Sequence, residues 1–310
     1  MQLLLLFPGQ GSQKPGMAKD LAEQYPAARA VFDAADAALG APLSTLCFEG
    51  PADELTRTHN AQPALLAHGA AVWAVVKQRA ASHVAAAAGH SLGEFSAYHA
   101  AGALSLADAV RLVRRRGELM YETGVQRPGA MAAILGELQR PIDEICAEAS
   151  AAGVVVPANY NALEQVVISG EVAGVERGME LAKAAGAKRT VRLQVSGAFH
   201  SPLMEPAQAG LADALGAASW TNPAWTVYSN VTAAPVSEAE VARNLLLRQL
   251  TSPVRWVAVI QAMAAAHPGA TFVEMGPGNV LTGLLKRLAP NHTARTCGTV
   301  TEVEALLSDL

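Results

Sequence analysis

Aromatic residues make up only 5% of this 310-residue chain and charged residues only 16%. An apolar fraction of 51% with so few rings must come from small and aliphatic side chains, and alanine leads them. Such a composition suits helices packed closely on a sheet, and a chain of this length buries a substantial core. A basic excess is also missing. The formal net charge is −4 with a pI near 6.1, so nothing in the overall balance points to nucleic acid. Cysteine is scarce: Cys47, Cys146 and Cys297 are odd in number, far apart and without C-x-x-C or Cys/His ligand spacing. They read as buried or free thiols in a reducing compartment, with no metal site expected. Long apolar runs are absent too. The least polar stretch, 63–76, is interrupted by His68 and closed by Lys77, short of the roughly 20 residues of a membrane span. The run Leu3 to Phe7 has no basic segment before it and ends at Pro8-Gly9, so it reads as a first core strand and not as a leader. A cytoplasmic protein with no membrane association is expected.

What is present centres on Ala85 to Ala97. An apolar run ends in Gly89-His90-Ser91-Leu92-Gly93, and a helix-compatible pattern follows at once. Strand, then Gly-x-Ser-x-Gly, then helix is the context of a nucleophile elbow, in which a tight turn exposes the serine hydroxyl beside free N–H groups at a helix start. A side chain at Gly89 or Gly93 would crowd that turn or the packing of helix on strand. Ser91 is therefore the candidate nucleophile.

Along the chain, strands are expected at 2–7, 130–135, 154–159, 165–169, 188–193, 225–231 and 271–275. Helical patterns fall at 17–39 with a break at Pro26, and at 61–79, 106–121, 141–152, 172–185, 238–250, 254–265 and after Gly278 to Leu288, and two last elements at 295–298 and 302–307 complete the main domain. Between 129 and 193 the order is β-α-β-β-α-β, the ferredoxin-like order. The expected fold is α/β: an α/β-hydrolase-like, parallel-sheet main domain of residues 1–126 and 195–310, with an inserted ferredoxin-like subdomain of residues 127–194. The junction between the two is a natural place for a cleft.

Several residues near these elements carry chemical interest. Gln10 lies between Gly9 and Gly11 after the first strand, where the backbone either approaches a ligand or makes an ordinary turn. Arg114, Arg115 and Arg116 point about 100° apart on a helix, so at most one or two face a common site. Such a run is commonly a solvated face, whereas a buried member requires an anion. His200 follows Ser196-Gly197-Ala198-Phe199 at a loop end, and it is a candidate general base if folding brings it to Ser91. His68 reads as a core or boundary histidine, and the Gly276-Pro277-Gly278 turn as a helix start beside the cleft.

Taken in order, Phe7-Pro-Gly-Gln-Gly-Ser-Gln13, Gly89-His-Ser-Leu-Gly-Glu94, Arg116-Gly117, Gly197-Ala-Phe-His-Ser-Pro202, Gln249 before Ser252-Pro253, and Glu274-Met-Gly-Pro-Gly278 resemble the malonyl-CoA:acyl carrier protein transacylase family, nearly end to end. The resemblance implies Ser91 as nucleophile and His200 as base, with Gln10 and the Leu92 N–H in an oxyanion hole. It implies Arg116 as partner of the substrate carboxylate and the Gln249 carbonyl as the group that orients the imidazole. Phe199 and Met120 are implied substrate contacts, Phe199 beside the acyl α-carbon. Phe95, where the family often has Tyr, and the extra Arg114 and Arg115 are small departures.

The implied activity is ping-pong transfer of a malonyl group from malonyl-CoA to the phosphopantetheine thiol of acyl carrier protein in fatty-acid synthesis. No resident cofactor is implied, and a monomer is expected. An acidic carrier calls for a local basic surface, for which Arg114, Arg115, Lys188, Arg189, Lys286 and Arg287 are candidates. Alternatives are a free-standing polyketide-synthase acyltransferase, a serine thioesterase or esterase, and a carrier-docking module with a dead site. A neutral ester would leave a buried Arg116 without a partner, which weighs against the hydrolase.

Overall fold

A computed structural model describes all 310 residues. Ten strands order the chain: β1 (Leu3–Phe7), β2 (Val84–Gly89), β3 (Ala130–Leu135), β4 (Val155–Ala162), β5 (Gln165–Gly170), β6 (Arg189–Arg192), β7 (Thr226–Tyr228), β8 (Pro235–Val236), β9 (Thr271–Met275) and β10 (Ala294–Cys297). Six form one sheet in the order β10-β9-β1-β2-β7-β8, parallel except for the last pair. β1 is central, and its five residues are all buried. Leu3, Leu5 and Phe7 enter the core on one face, while Leu4 and Leu6 enter the core on the other. That alternation explains why the strand has no polar position: a parallel strand covered by helices on both sides has no solvent face.

The other four strands form an antiparallel sheet in the order β4-β5-β3-β6, backed by helices Ile142–Ala149 and Val172–Ala184. Those helices and the inner face of that sheet make a separate small core around Ile134, Ile145, Ile168 and Val175. β4 is stitched to the large sheet's side of the molecule, because Tyr160 N–H donates to the Val254 carbonyl at 2.9 Å and Val254 N–H to Ala158 at 2.8 Å.

Several boundaries differ from the sequence expectation, each for a tertiary reason. The helix expected at 61–79 is Thr58–Ala80, a turn longer at its start, with Pro63 inside it. The helix expected at 106–121 runs on to Gln126, and the Ser105 side chain caps its start by accepting from Asp108 N–H. Of the strand expected at 225–231, only Thr226–Tyr228 pairs, since the chain then turns to carry Asn230 beneath the elbow. Val254 is extended against β4, so the next helix begins at Trp256 and not at 254. Two short helices, Leu43–Glu49 and Ala52–Thr56, were not expected, and the loop from Ser196 to Pro202 leads through a single helical turn, Pro202–Met204, into the helix Ala207–Ala217. No helix is long and apolar enough to cross a membrane.

Candidate active site

The elbow is built by close backbone contact. A Cβ at Gly89 would fall 1.9 Å from the Gly93 carbonyl, and one at Gly93 would fall 2.2 Å from the Phe7 carbonyl. Only hydrogen fits at either place, so the helix Gly93–Ala100 can start directly on the ends of β1 and β2. Ser91, at the tip, holds a left-handed backbone with φ 52°, a conformation costing a non-glycine residue about 1 kcal/mol or more. Asn230 fixes this turn from below. Its Oδ1 accepts the Ser91 N–H at 2.8 Å, and its Nδ2 donates to the Gly89 carbonyl at 2.8 Å. The Leu92 N–H makes no hydrogen bond within the protein and stands next to the Ser91 hydroxyl in sequence.

His200 reaches this point from the far side of the chain. Its Nε2 is 2.8 Å from Ser91 Oγ, and its Nδ1 is 2.9 Å from the Gln249 carbonyl and 3.2 Å from that of Ser252. Both carbonyls can only accept, so Nδ1 carries the proton and the Nε2 lone pair faces the serine hydroxyl. His200 also has a positive φ, 57°. Burial, then the Arg116 charge, pull its pKa down to about 3 against the opposing Gln249 carbonyl, which keeps the imidazole neutral and able to accept a proton.

Arg116 is buried, at 1% exposure, and no carboxylate lies within salt-bridge distance. Its Nη1 donates to Gln62 Oε1 at 2.7 Å, and its Nη2 donates to Ser91 Oγ at 3.0 Å and to Gln249 Oε1 at 2.9 Å. Nε has no partner. The guanidinium also sits 5.7 Å from the centre of the Phe95 ring. Burial draws its pKa down to about 10, opposed by the charge of Glu94, so at neutral pH it is a cation held by neutral acceptors. Such a group is costly unless it receives an anion, and Ser91 marks where that anion would arrive.

Gln10, Met120, Phe199, Ser91, Leu92, His200 and Arg116 all line one cleft of about 430 Å3. The Gln10 amide is turned toward Thr58, with Nε2 3.3 Å from Oγ1, while the Met120 sulfur accepts from Gln62 Nε2 at 3.5 Å. Asn159 and Asn161 of β4 and Met131 of β3 supply the opposite wall, so the small sheet closes the cleft over the elbow. His90 ties the two sides: its Nε2 is 2.8 Å from Asn161 Oδ1. A larger cavity, about 850 Å3, opens between β4, the Ile142–Ala149 helix and the Trp256–Ala266 helix, away from Ser91.

The motifs did not single out Gln62, Glu94, Asn230 or the Gln249 side chain for a role. Glu94 was legible only as the last letter of its motif, and isolated amides have no spacing to mark them. The Gln249 side chain turns out to be as engaged as its carbonyl. Of the basic residues considered for a carrier surface, Arg115 is paired with Glu118 and Glu122, Arg287 with Glu164, and Arg114 donates to Asn60. His68 is buried, with Nε2 2.8 Å from the Gly298 carbonyl. The Gly276 to Gly278 turn does start a helix, whose N–H groups at Leu281 and Thr282 are capped by buried Glu274.

A serine on an elbow, a neutral histidine at hydrogen-bond distance and a buried cation beside them place the chain among α/β enzymes of acyl transfer. The acyl transferase domain family matches residues 4–306, and the chain belongs to it. Malonyl CoA-acyl carrier protein transacylase of Bacillus subtilis (strain 168) is 48% identical over 288 residues, 93% of this chain and 90% of the relative. The protein of that name from Escherichia coli (strain K12) is 44% identical over 293 residues, 94% of each chain. Among solved structures, the acyl-carrier-protein-S-malonyltransferase of Bartonella henselae superposes with a TM-score of 0.95 at 45% identity, covering 100% of this chain and 99% of that one. A malonyl-transacylase solved in complex with its type II PKS acyl-carrier protein gives 0.95 at 39% identity, covering all of both chains.

Proposed function

We propose that this acyltransferase moves a malonyl group from malonyl-CoA to the phosphopantetheine thiol of an acyl carrier protein, through an ester on Ser91. The observation that carries the proposal is the meeting of three groups at one oxygen: Ser91 Oγ lies 2.8 Å from His200 Nε2 and 3.0 Å from Arg116 Nη2. The names of the relatives and of the carrier complex support the same reading.

In the first half-reaction, Ser91 Oγ attacks the thioester carbonyl while Nε2 of His200 takes the hydroxyl proton. The Nδ1–H keeps donating to the Gln249 and Ser252 carbonyls, which stabilise the imidazolium without a carboxylate. The oxygen of the tetrahedral intermediate meets the unpaired Leu92 N–H, with Gln10 as second donor once its amide leaves Thr58. One such donor is worth about 3 kcal/mol of barrier. Collapse breaks the C–S bond, and His200 returns its proton to the departing CoA sulfur. In the second half-reaction the carrier's thiol gives its proton to His200 and attacks the ester carbonyl; collapse breaks the acyl C–Oγ bond, and His200 passes that proton to Ser91 Oγ, which restores the hydroxyl. Arg116 receives the free carboxylate of the malonyl group, whose planar pair of oxygens fits a guanidinium fork. Phe199 and Met120 shape the space around the acyl chain. The protein groups in these steps are side chains, a backbone N–H and backbone carbonyls of this chain, and the proposed cycle includes no resident cofactor.

Intact-mass measurement after mixing with malonyl-CoA alone tests the proposal. A single covalent malonyl adduct, absent in Ser91→Ala, is expected. Rapid loss of the acyl group to water in place of transfer to an added carrier would identify a hydrolase. Comparing fatty-acid and polyketide carriers as acceptors then assigns the physiological one.

A further inference from the structure

Glu94 is wholly buried on the first turn of the helix that follows the nucleophile, yet the chemistry above makes no use of it. Its Oε2 accepts from Gln249 Nε2 at 2.7 Å and from the Asn230 N–H at 3.0 Å, while Oε1 has no hydrogen-bond partner. A carboxylate removed from water with one oxygen unpaired is costly, so its place beside two supports of the reacting groups requires an account. Burial pushes its pKa up to about 7 against the Asn230 N–H, the Gln249 amide, the Arg116 charge and the nearby Ser229 hydroxyl, which is not at hydrogen-bond geometry to Oε1. In either protonation state Oε2 still accepts.

The Gln249 amide supplies that account. Its oxygen accepts from Arg116 Nη2 at 2.9 Å, and its nitrogen donates to Glu94 Oε2 and, at 3.1 Å, to the Ser91 carbonyl. Rotating the amide by 180° would aim an NH2 at a guanidinium and an oxygen at two acceptors, so every contact would become repulsive. The Ser91 carbonyl alone gives a long contact, whereas Glu94 gives the short one. Asn230 cannot take over the role. Its side chain is committed at both ends, to Ser91 N–H and the Gly89 carbonyl, and its Oδ1 is 3.4 Å from Gln249 Nε2.

We propose that Glu94 is a positioning residue for acyl-group selectivity: by locking the Gln249 amide, it aims the Arg116 fork at the place where the carboxylate of the acyl group must sit. The link is linear. Glu94 sets the amide, the amide oxygen sets Nη2, Gln62 sets Nη1 at 2.7 Å, and the fork is thereby fixed on both arms before substrate arrives. Gln249 holds the His200 imidazole through its backbone carbonyl and not through its side chain. Arg116 itself reaches Ser91 Oγ and its charge acts on His200, so a misaimed fork slows both acyl substrates, and the aim is read from the ratio of their rates and not from either rate alone.

This inference rests on the malonyl-transfer reading, and its test separates the two. Single-turnover acylation is measured with malonyl-CoA and with acetyl-CoA, and the ratio of the two rates is the readout, because loss of folded or active protein cancels from it. Glu94→Met, which keeps the bulk and removes the acceptor, is expected to lower the malonyl-to-acetyl ratio about tenfold, the scale of one hydrogen bond to a charged group. Glu94→Gln keeps an acceptor oxygen and is expected to retain most of the ratio. Gln249→Met cuts the link and is expected to lose the ratio to the same extent, with no further loss when it is combined with Glu94→Met. A ratio in Glu94→Met within about twofold of wild type, an equally impaired Glu94→Gln, or additive losses in the double variant overturns the assignment. Should Glu94→Met fail to fold, an unchanged ratio in Gln249→Met overturns it as well. If wild-type protein forms no adduct with malonyl-CoA, the functional reading itself fails.

Discussion

Ser91 Oγ is shared between a base and a cation, and this sharing has consequences that single residues can report. Arg116→Ala removes the only buried charge able to meet a substrate carboxylate. It is expected to cut acylation by malonyl-CoA at least about tenfold more than acylation by acetyl-CoA, read in single-turnover rates. Equal losses would mean that the guanidinium serves the serine and not the acyl group. The imidazole gives a second test. With its pKa near 3, His200 remains neutral well below the usual histidine range, so the acid limb of the acylation rate is expected below pH 6.5 in a pH profile. A limb at the ordinary value would show that the base sits in a wetter place than the structure gives it. At this scale the sequence was informative wherever a residue belonged to an ordered motif. Of the residues the resemblance implied, Gln10, Ser91, Leu92, Arg116, Met120, Phe199 and His200 line one cleft, while Gln249 lies behind it against His200. Gln62, Asn230 and the amide of Gln249 were silent, because a polar residue that works by satisfying another polar residue leaves no periodicity and no spacing behind.

Elements, by contrast, report through the contacts that admit no side chain. Gly93 stands where the helix after the elbow rests on the end of β1, and an added methyl would lie 2.2 Å from a carbonyl oxygen of that strand. Gly93→Ala is expected to destabilise the fold by about 1–3 kcal/mol or more and to slow acylation, checked by urea denaturation and by adduct formation. A near-neutral midpoint would mean that helix and strand separate more readily than their packing implies. The strands of the central sheet were legible because both faces are covered, so β1 read as an uninterrupted apolar run bounded by turns and β9 as a short, mostly apolar one carrying Thr271 and Glu274. Errors arose where tertiary contacts override a local pattern. Val227 and Tyr228 pair with neighbours, but Ser229 and Asn230, of similar apolar surroundings in the sequence, leave the strand to serve the elbow. Val254 looks helical from its neighbours and is claimed by β4. The short helices between 43 and 56 carry too few residues for a period to show.

For the molecule as a whole, burial of neutral histidines decides how stability responds to acid. His59, His68, His90, His99 and His200 all have pKa values lowered first of all by desolvation, His68 to about 4 and His200 to about 3. Each binds a proton more readily when unfolded, so its contribution is complete above the unfolded value of 6.5 and is lost as pH falls toward the folded one. Glu94 and Glu274 are raised by burial and act in the opposite sense: their contribution is complete below 4.5 and declines as pH rises through the folded values. Between pH 4.5 and 6.5 the five histidines outweigh the two carboxylic acids in number of protons, so the urea midpoint is expected to rise with pH across that window. A flat or falling midpoint would mean that these imidazoles are hydrated. The large-scale plan, a parallel sheet interrupted by a β-α-β-β-α-β segment, was readable from element order alone, whereas the stitch between β4 and Val254 was not. One further property follows from the three cysteines. All are buried, and each thiol is pushed up to about 12, so none offers a thiolate to a reagent at neutral pH. A Ser91→Cys chain would thus carry a single thiol open to alkylation, in the cleft, and a fluorescent or cross-linking label could be installed there without removing any native residue but Ser91.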